Sequence, residues 1–181
     1  MRIIAGEAGG INLKSIKNSN ARPTLDRVKE ALFSIIAPYI RDTKVLDLFS
    51  GFGNLGLEAV SRGAKNAILV ERSRKNINVI KKNIDLCNFN DRIQLVKDDV
   101  FKYLEYSTKD FDIIFMDPPY DKQYGNDLLK KIKSNNILKK NGLIVIEHSE
   151  KEIISSQDFI KIKEKNYGNT VLTILENREE N

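Results

Sequence analysis

The sequence predicts an α/β fold in which helices cover both faces of a mostly parallel sheet. From Val45 to Ile146, five short apolar runs alternate with stretches of helical spacing. Strands that are buried on both faces are continuous apolar runs, which is typical of parallel sheets. After residue 158, two segments instead alternate apolar and polar residues around a turn. This pattern predicts an antiparallel hairpin at one edge and seven strands in total.

The central elements follow one another without long interruptions. The first strand, 45–49, leads through a glycine-rich turn into a helix at 55–62. The later predicted elements are strands at 67–71, 93–96, 111–116 and 143–146, helices at 74–86, 101–106 and 128–132, and hairpin strands at 159–165 and 171–175.

The first 44 residues add a hairpin and a helix. Segments 2–6 and 11–16 flank Glu7-Ala8-Gly9-Gly10, which has turn chemistry. A helical pattern then begins after Pro23, with Thr24 as the predicted N-cap and Asp26 in the first turn. We expect one domain. Its predicted parts are a hairpin extension (1–21), a pocket-closing helix (22–41), a catalytic core (44–176) and a frayed tail (177–181).

Composition limits the possible functions of this 181-residue chain. Hydrophobic residues make up 41% and charged residues 30%, which is typical of a folded globular domain. No apolar run approaches the ~18 residues of a membrane span, and the N-terminus lacks a secretory pattern, so we expect a cytoplasmic protein. A single cysteine and a single histidine argue against a metal site. The net charge of +5 favours a polyanionic partner, and nothing demands more than a monomer.

The turn after the first strand carries a nucleotide-binding pattern. Gly51, Gly53 and Gly56 satisfy G-x-G-x-x-G, and Glu71 ends the next strand, where an acid binds ribose hydroxyls. This pattern alone fits a nicotinamide enzyme and a methyltransferase equally well.

Acidic strand ends favour a cationic ligand over a phosphorylated one. Asp47 precedes the glycine turn, where its carboxylate would repel a pyrophosphate but attract an ammonium group. Asp98 and Asp99 end the third strand, where a carboxylate can accept from an adenine amino group, although a solvated strand end or a helix cap would also explain them. S-adenosylmethionine carries an ammonium group, a sulfonium and no phosphate. The predicted cofactor-binding residues are Asp47, Phe49, Ser50, Gly51, Gly53, Glu71, Arg72, Asp99 and Val100.

Asp117-Pro118-Pro119-Tyr120 follows the fourth strand and is the predicted catalytic segment. Two prolines fix the backbone and remove two N–H donors. The Asp117 carboxylate and the Pro118 carbonyl can then accept from an exocyclic amino group and orient its lone pair for in-line displacement. Tyr120 can stack on an unpaired base.

This chemistry leaves the acceptor open. It serves the N2 atom of guanine, the N6 atom of adenine or the N4 atom of cytosine, and a nicotinamide oxidoreductase is a more remote alternative. The chain has no obvious separate domain for reading duplex sequence, which argues against a DNA methyltransferase.

Over nearly its whole length the chain resembles the bacterial 16S ribosomal RNA guanine-N2 methyltransferases of the RsmD type. The match rests on residues 22–33 (RPTLDRVKEALF), residues 47–64 (DLFSGFGNLGLEAVSRGA) and the DPPY segment; the first is the most diagnostic. The resemblance implies a Rossmann-like class I methyltransferase fold, S-adenosylmethionine as donor, and a guanine of 16S RNA in the small subunit as acceptor. The substrate-binding residues to be expected are Arg2, Lys14, Arg22, Thr24 and Arg27.

Two positions depart from the family pattern. Phe52 stands where a small residue is usual between the first two glycines, so the local geometry of this turn is open. Residues 9–12 read Gly-Gly-Ile-Asn in place of an Arg-Gly-Arg-like stretch, which predicts weaker RNA contacts from the hairpin.

Overall fold

The computed structural model describes residues 1–16, 23–108, 110–119 and 122–178, with side chains of the first helix described from Asp26 onward. Seven strands form a single sheet in the order β3-β2-β1-β4-β5-β7-β6. They are β1 (Lys44–Leu48), β2 (Asn66–Glu71), β3 (Ile93–Lys97), β4 (Phe111–Met116), β5 (Leu138–Ser149), β6 (Ile160–Tyr167) and β7 (Thr170–Glu176). Pairing is parallel from β3 to β5, whereas β7 runs antiparallel to both β5 and β6. The predicted seven-stranded sheet with an antiparallel C-terminal hairpin is confirmed.

Five α-helices cover the two faces of this sheet. They are α1 (Pro23–Ile36), α2 (Asn54–Ser61), α3 (Arg74–Cys87), α4 (Val100–Tyr106) and α5 (Gly125–Ser134). Side chains of α1, α2 and α3 pack into one hydrophobic cluster, and those of α4 and α5 pack into a second. Neighbouring residues of β1 point to opposite clusters: Val45 contributes to the first and Leu46 to the second. This double burial explains the continuous apolar runs of the central strands.

Most predicted bounds shift by one or two residues, and three elements differ in a way that has a structural reason. Helix α1 begins at Pro23, so Thr24 is its second residue and not the predicted N-cap. Proline is favoured at the first helical position because its missing N–H has no partner there in any case. Strand β5 extends beyond the predicted 143–146 at both ends; its first part includes the exposed Lys140 and Asn141, and its pairing with β4 shifts register near Phe111. Helix α5 begins three residues early, at Gly125.

The N-terminal hairpin is smaller than predicted and is docked on the core. Its only strand pairing among the described residues is the antiparallel bridge between Arg2 and Asn12. The carboxylate of Glu58 in α2 accepts the backbone N–H groups of Ile4 (2.8 Å) and Ala5 (3.1 Å). The segment is therefore attached to α2 through its backbone.

Asn83 of α3 provides a second attachment point. Its side-chain amide donates to the carbonyls of Lys14 and Phe52, each at 3.0 Å, and its Oδ1 accepts from the Lys14 N–H at 2.7 Å. One fully buried side chain thus connects the N-terminal segment, the glycine turn after β1 and helix α3.

Asn177, the first residue of the predicted frayed tail, is hydrogen-bonded to β5. Its backbone N–H donates to the Gly142 carbonyl, and its side-chain amide donates to the carbonyls of Leu138 and Lys139. Residues 179–181 lie outside the described residues. In the described ranges, no helix is both long and apolar enough to cross a membrane.

Candidate active site

A cavity of about 640 Å³ opens at the carboxyl ends of β1 to β4. Ligands of open α/β sheets bind at this edge, where the strand order reverses. The predicted site residues that line the cavity are Phe49, Gly51, Glu71, Arg72, Asp99, Val100, Asp117, Pro118 and Pro119. Its other lining residues are Val70, Ser73, Asn76, Asp98, Phe101, Lys122 and Tyr124. A groove of about 540 Å³ at the opposite edge of the sheet contains none of the predicted site residues.

The turn after β1 is organised around the buried Asp47. Its carboxylate accepts the backbone N–H of Gly56 at 2.9 Å, and only 2% of the residue is exposed. Burial raises the pKa of Asp47 to about 7, with the charge of Glu71 adding to the effect. Ser50 donates to the Asp47 carbonyl at 2.7 Å and lies in a smaller neighbouring cavity, outside the main one. Gly53 lines neither cavity, because its Cα faces Leu57 and Leu69.

Glu71 connects this turn to the end of β2. One carboxylate oxygen accepts the Gly51 N–H at 3.0 Å, and the other accepts the Ser73 N–H at 2.7 Å. The side chain is buried but still borders the cavity, so a ligand hydroxyl can reach the remaining lone pairs.

Asp98 and Asp99 are both half-buried at the end of β3. Asp99 is the N-cap of α4 and accepts from the N–H groups of Phe101 and Lys102. Asp98 accepts the Tyr106 hydroxyl at 2.7 Å, which lowers the pKa of Asp98. Only one carboxylate oxygen of Asp99 accepts these two hydrogen bonds, and the residue also lines the cavity.

Asp117 follows β4 and is open to the main cavity, although it lies deep in the crevice. It also borders a cavity of about 60 Å³ that is shared with Asp47, Glu147 and Lys29. Burial raises the pKa of Asp117 well above its ordinary value, and the charges of Glu147 and Asp47 add to this. The carbonyl of Pro119 accepts the Lys122 N–H at 3.1 Å and closes a turn after the segment. Tyr120 lies outside the described residues.

An aromatic wall stands beside Asp117. Phe49, held at a positive φ of 61°, stacks on Tyr124 with ring centroids 6.3 Å apart. Phe101 contacts the same Tyr124 ring edge-on at 5.0 Å. This wall connects the ends of β1, α4 and α5, and the sequence interpretation lacked it because no spacing rule pairs residues 49, 101 and 124.

Lys29 of α1 is the main polar side chain that sequence reasoning missed. It is 2% exposed, pairs with Glu58 at 3.1 Å and donates to Asn54 Oδ1 at 2.8 Å and to the Arg2 carbonyl. Burial lowers the pKa of Lys29, although the Glu58 charge opposes this shift. Its burial could have been predicted from its position between Val28 and Leu32, in a helix whose apolar side is buried.

Three of the predicted substrate-binding residues, Arg2, Lys14 and Arg27, do not line the cavity. Arg2, Lys14 and Arg27 are exposed, and the first two belong to the docked N-terminal segment. Arg22 and the side chain of Thr24 lie outside the described residues. Among those described, no cluster of His, Cys, Asp and Glu has the arrangement of a metal site.

Comparison with known proteins assigns a family. The family model described as "Conserved hypothetical protein 95" matches residues 1–176. The chain belongs to this family. The Bacillus subtilis protein YlbH is 36% identical and covers 98% of this chain and 100% of its own. The Haemophilus influenzae protein named ribosomal RNA small subunit methyltransferase D is 34% identical over 93% of this chain and 89% of its own. The RsmD-type resemblance is confirmed.

Solved structures confirm the fold class. The Escherichia coli protein yhhF superimposes with a TM-score of 0.89 at 29% identity, covering 99% of both chains. An RNA methyltransferase of Salinibacter ruber, solved in complex with S-adenosyl-L-homocysteine, shares the fold with a TM-score of 0.69 at 14% identity, over 88% of this chain and 96% of that one. The chain therefore has the class I methyltransferase fold.

Proposed function

We propose that this protein transfers a methyl group from S-adenosylmethionine to the N2 amino group of a guanine in 16S ribosomal RNA of the small subunit. The observation that carries this proposal is the shared cavity. The Asp117-Pro118-Pro119 segment opens into the same space as the acidic strand ends Glu71 and Asp99. A relative named as a ribosomal RNA small subunit methyltransferase supports the choice of RNA. The substrate implies a cytoplasmic protein, which we expect to act as a monomer.

The cavity fits an adenosyl cofactor in size and charge. Its volume of about 640 Å³ lies within the range of small-molecule sites. Glu71 is placed to hold ribose hydroxyls and Asp99 an amino group of the base, while Val100 and Phe101 offer an apolar wall for the ring. Asp47 borders the smaller cavity together with Phe49; its carboxylate can accept a hydrogen bond from an ammonium group and attracts that group when ionised. When bound, S-adenosylmethionine supplies the electrophilic methyl group.

The glycine turn is unsuited to a dinucleotide. In dinucleotide-binding enzymes, the N-terminal N–H groups of the first helix bind the pyrophosphate. Here the Gly56 N–H is already bound by Asp47, and this buried carboxylate would repel a phosphate. Gly53 packs against the core and offers no close backbone approach to a ligand.

Asp117 is the group placed to act on the amino nitrogen. Its carboxylate borders the cavity directly after β4 and can accept one amino N–H while the proline-fixed backbone holds the other. Its raised pKa suits it to take up the proton that the nitrogen loses after methyl transfer. Two prolines keep this segment rigid, and positioning of this kind carries much of the catalysis in a displacement reaction.

The test is methyl transfer from labelled S-adenosylmethionine to small subunits, naked 16S RNA and duplex DNA, followed by mass spectrometry of the nucleosides. We expect label in RNA as N2-methylguanosine. Label in DNA only, or on adenine or cytosine, would replace this assignment by the alternative amino acceptors. Thermal stabilisation by NAD and none by S-adenosylmethionine would reject a methyltransferase altogether.

Asp117→Asn separates binding from chemistry. Transfer should fall by about a hundredfold or more, while the Kd for S-adenosylhomocysteine changes little. Asp112→Asn is the matched control, because Asp112 lies on β4, directly upstream of the Asp117 segment, but binds Lys44 and Lys139 away from the cavity. Full activity of Asp117→Asn would remove Asp117 from the mechanism.

A further inference from the structure

Acids outnumber cations in the lining of the cavity, whereas the residues next to that lining are cationic. The lining carries the carboxylates of Glu71, Asp98, Asp99 and Asp117 together with Arg72 and Lys122. Arg74, Lys75 and Lys102 are exposed and directly follow or precede lining residues in the chain. We propose that Arg74, Lys75 and Lys102 form a basic rim that binds the phosphate backbone of the RNA next to the target nucleotide. This inference rests on the proposed function and specifies which surface holds the RNA.

The fold brings the three cations to the same edge of the sheet. Register pairs Glu71 of β2 with Lys97 of β3, so the two strands end side by side. Helices α3 and α4 start just beyond these ends and pack on opposite faces. Ser73 and Phe101 line the cavity. The cations that follow them in the chain therefore flank the mouth from both faces.

Arg74 and Lys75 stand where the helix itself disfavours positive charge. A helix N-terminus carries a partial positive charge, which favours acids and disfavours cations in the first turn. The first turn of α3 contains no acid, and neither residue forms an ion pair with any residue that the structure describes. An arrangement that is unfavourable in the isolated protein becomes favourable when an anion binds between these groups.

The two charge layers suit an RNA substrate better than a small anion. Phosphates are repelled by the acids of the interior but attracted by the rim, and at physiological salt the interaction extends over a Debye length of about 8 Å. A backbone held at the mouth then leaves one base to enter toward Asp117. Phosphate contacts of this kind position the chain without reading sequence.

Helix α3 supplies its own control. Lys81 and Lys82 are also adjacent, exposed and positively charged, but they lie farther along α3, away from the lining residues Ser73 and Asn76 that flank Arg74 and Lys75. Both pairs carry the same charge on the same helix. If only general electrostatic attraction acts, substituting either pair should weaken RNA binding equally. The basic rim predicts a larger loss of RNA affinity for the Arg74/Lys75 pair.

The experiment compares Arg74→Ala/Lys75→Ala with Lys81→Ala/Lys82→Ala. Binding to 16S RNA is measured by fluorescence anisotropy in the presence of S-adenosylhomocysteine, across a series of salt concentrations. For the first variant we expect RNA affinity about tenfold weaker at 0.1 M salt and a salt slope reduced by about 1.5. Its kcat at saturating RNA and its Kd for S-adenosylhomocysteine should be unchanged. The second variant should stay within about twofold of the wild type.

Two results would overturn the basic rim: equal losses in both variants, or no loss in the first. The charge-preserving variant Arg74→Lys/Lys75→Arg should bind RNA like the wild type, and a loss there would indicate a structural role instead. If the wild type neither binds nor methylates RNA, the proposed function fails and the basic rim fails with it. If the wild type methylates RNA and the RNA affinity of Arg74→Ala/Lys75→Ala is unchanged, only the basic rim is rejected.

Discussion

Asp47→Asn tests the electrostatics of the cofactor site through stability. The ordinary pKa of this carboxyl is 3.8, and burial raises it to about 7 in the folded protein. A raised folded-state pKa means that the stability contribution is complete below pH 4 and is lost as pH rises toward 7. The difference corresponds to about 4 kcal/mol in all, of which about 2–3 kcal/mol is lost between pH 5 and pH 8. The asparagine can still accept from Gly56 but does not titrate.

The assay is urea unfolding at pH 5 and pH 8. The wild type should lose about 2–3 kcal/mol more than Asp47→Asn over this interval. Asp117, whose pKa is also raised by burial, contributes to the loss that remains in the variant. Asp98→Asn is the control: the Tyr106 hydrogen bond lowers the pKa of Asp98, so this group titrates below the interval. The same loss in Asp47→Asn and the wild type would refute the reasoning.

The remaining predictions concern the buried polar contacts. Gly6→Ala should lower the free energy of unfolding by about 3 kcal/mol or more. The added Cβ would lie 1.8 Å from the Ser61 carbonyl oxygen, at a φ of +88°. Gly10→Ala, at a φ of +89° with open space around it, should lose only about 1 kcal/mol, and equal losses in urea unfolding would contradict this account. Glu58→Gln should lose about 3 kcal/mol, since it uncouples a fully buried ion pair; an unchanged urea midpoint would show that the pair is dispensable. Asn83→Ala should lower the free energy of unfolding by about 2–3 kcal/mol. It should also weaken the binding of S-adenosylhomocysteine, because the Asn83 side chain holds the glycine turn. An unchanged Kd in titration calorimetry would contradict this coupling.

The fold was largely predictable because its strands are buried on both faces. Strand β4 was predicted at its observed bounds, since five of its six residues, all except Asp112, pack into the two clusters. Strand β5 was not, because its first part contains the exposed Lys140 and Asn141, and the register with β4 shifts between Leu138 and Leu143. Hydrophobic periodicity reveals a strand through its buried residues, so a strand segment that is exposed leaves no such pattern in the sequence.

The site was predictable where chemistry coincides with a strand end. Glu71, Asp99 and the Asp117 segment line the main cavity at the expected edge, and Asp47 borders the smaller cavity beside it, because parallel strands end together. The glycine pattern could not show that Gly53 packs against the core while Gly51 lines the cavity. Lys29 was missed because its partner Glu58 lies on another helix, and only tertiary packing brings the two together.

The N-terminal segment is attached to the core through its backbone. Its missing Arg-Gly-Arg-like stretch predicts weaker RNA contacts from its side chains, and its backbone contacts Lys29 and Asn83. Arg2 binds Lys29 through its carbonyl, and Lys29 borders the small cavity beside Asp47. The side-chain amide of Asn83 donates both to the Lys14 carbonyl and to the Phe52 carbonyl in the glycine turn. These contacts use backbone atoms, so they tolerate changes of side chain that would abolish an RNA contact.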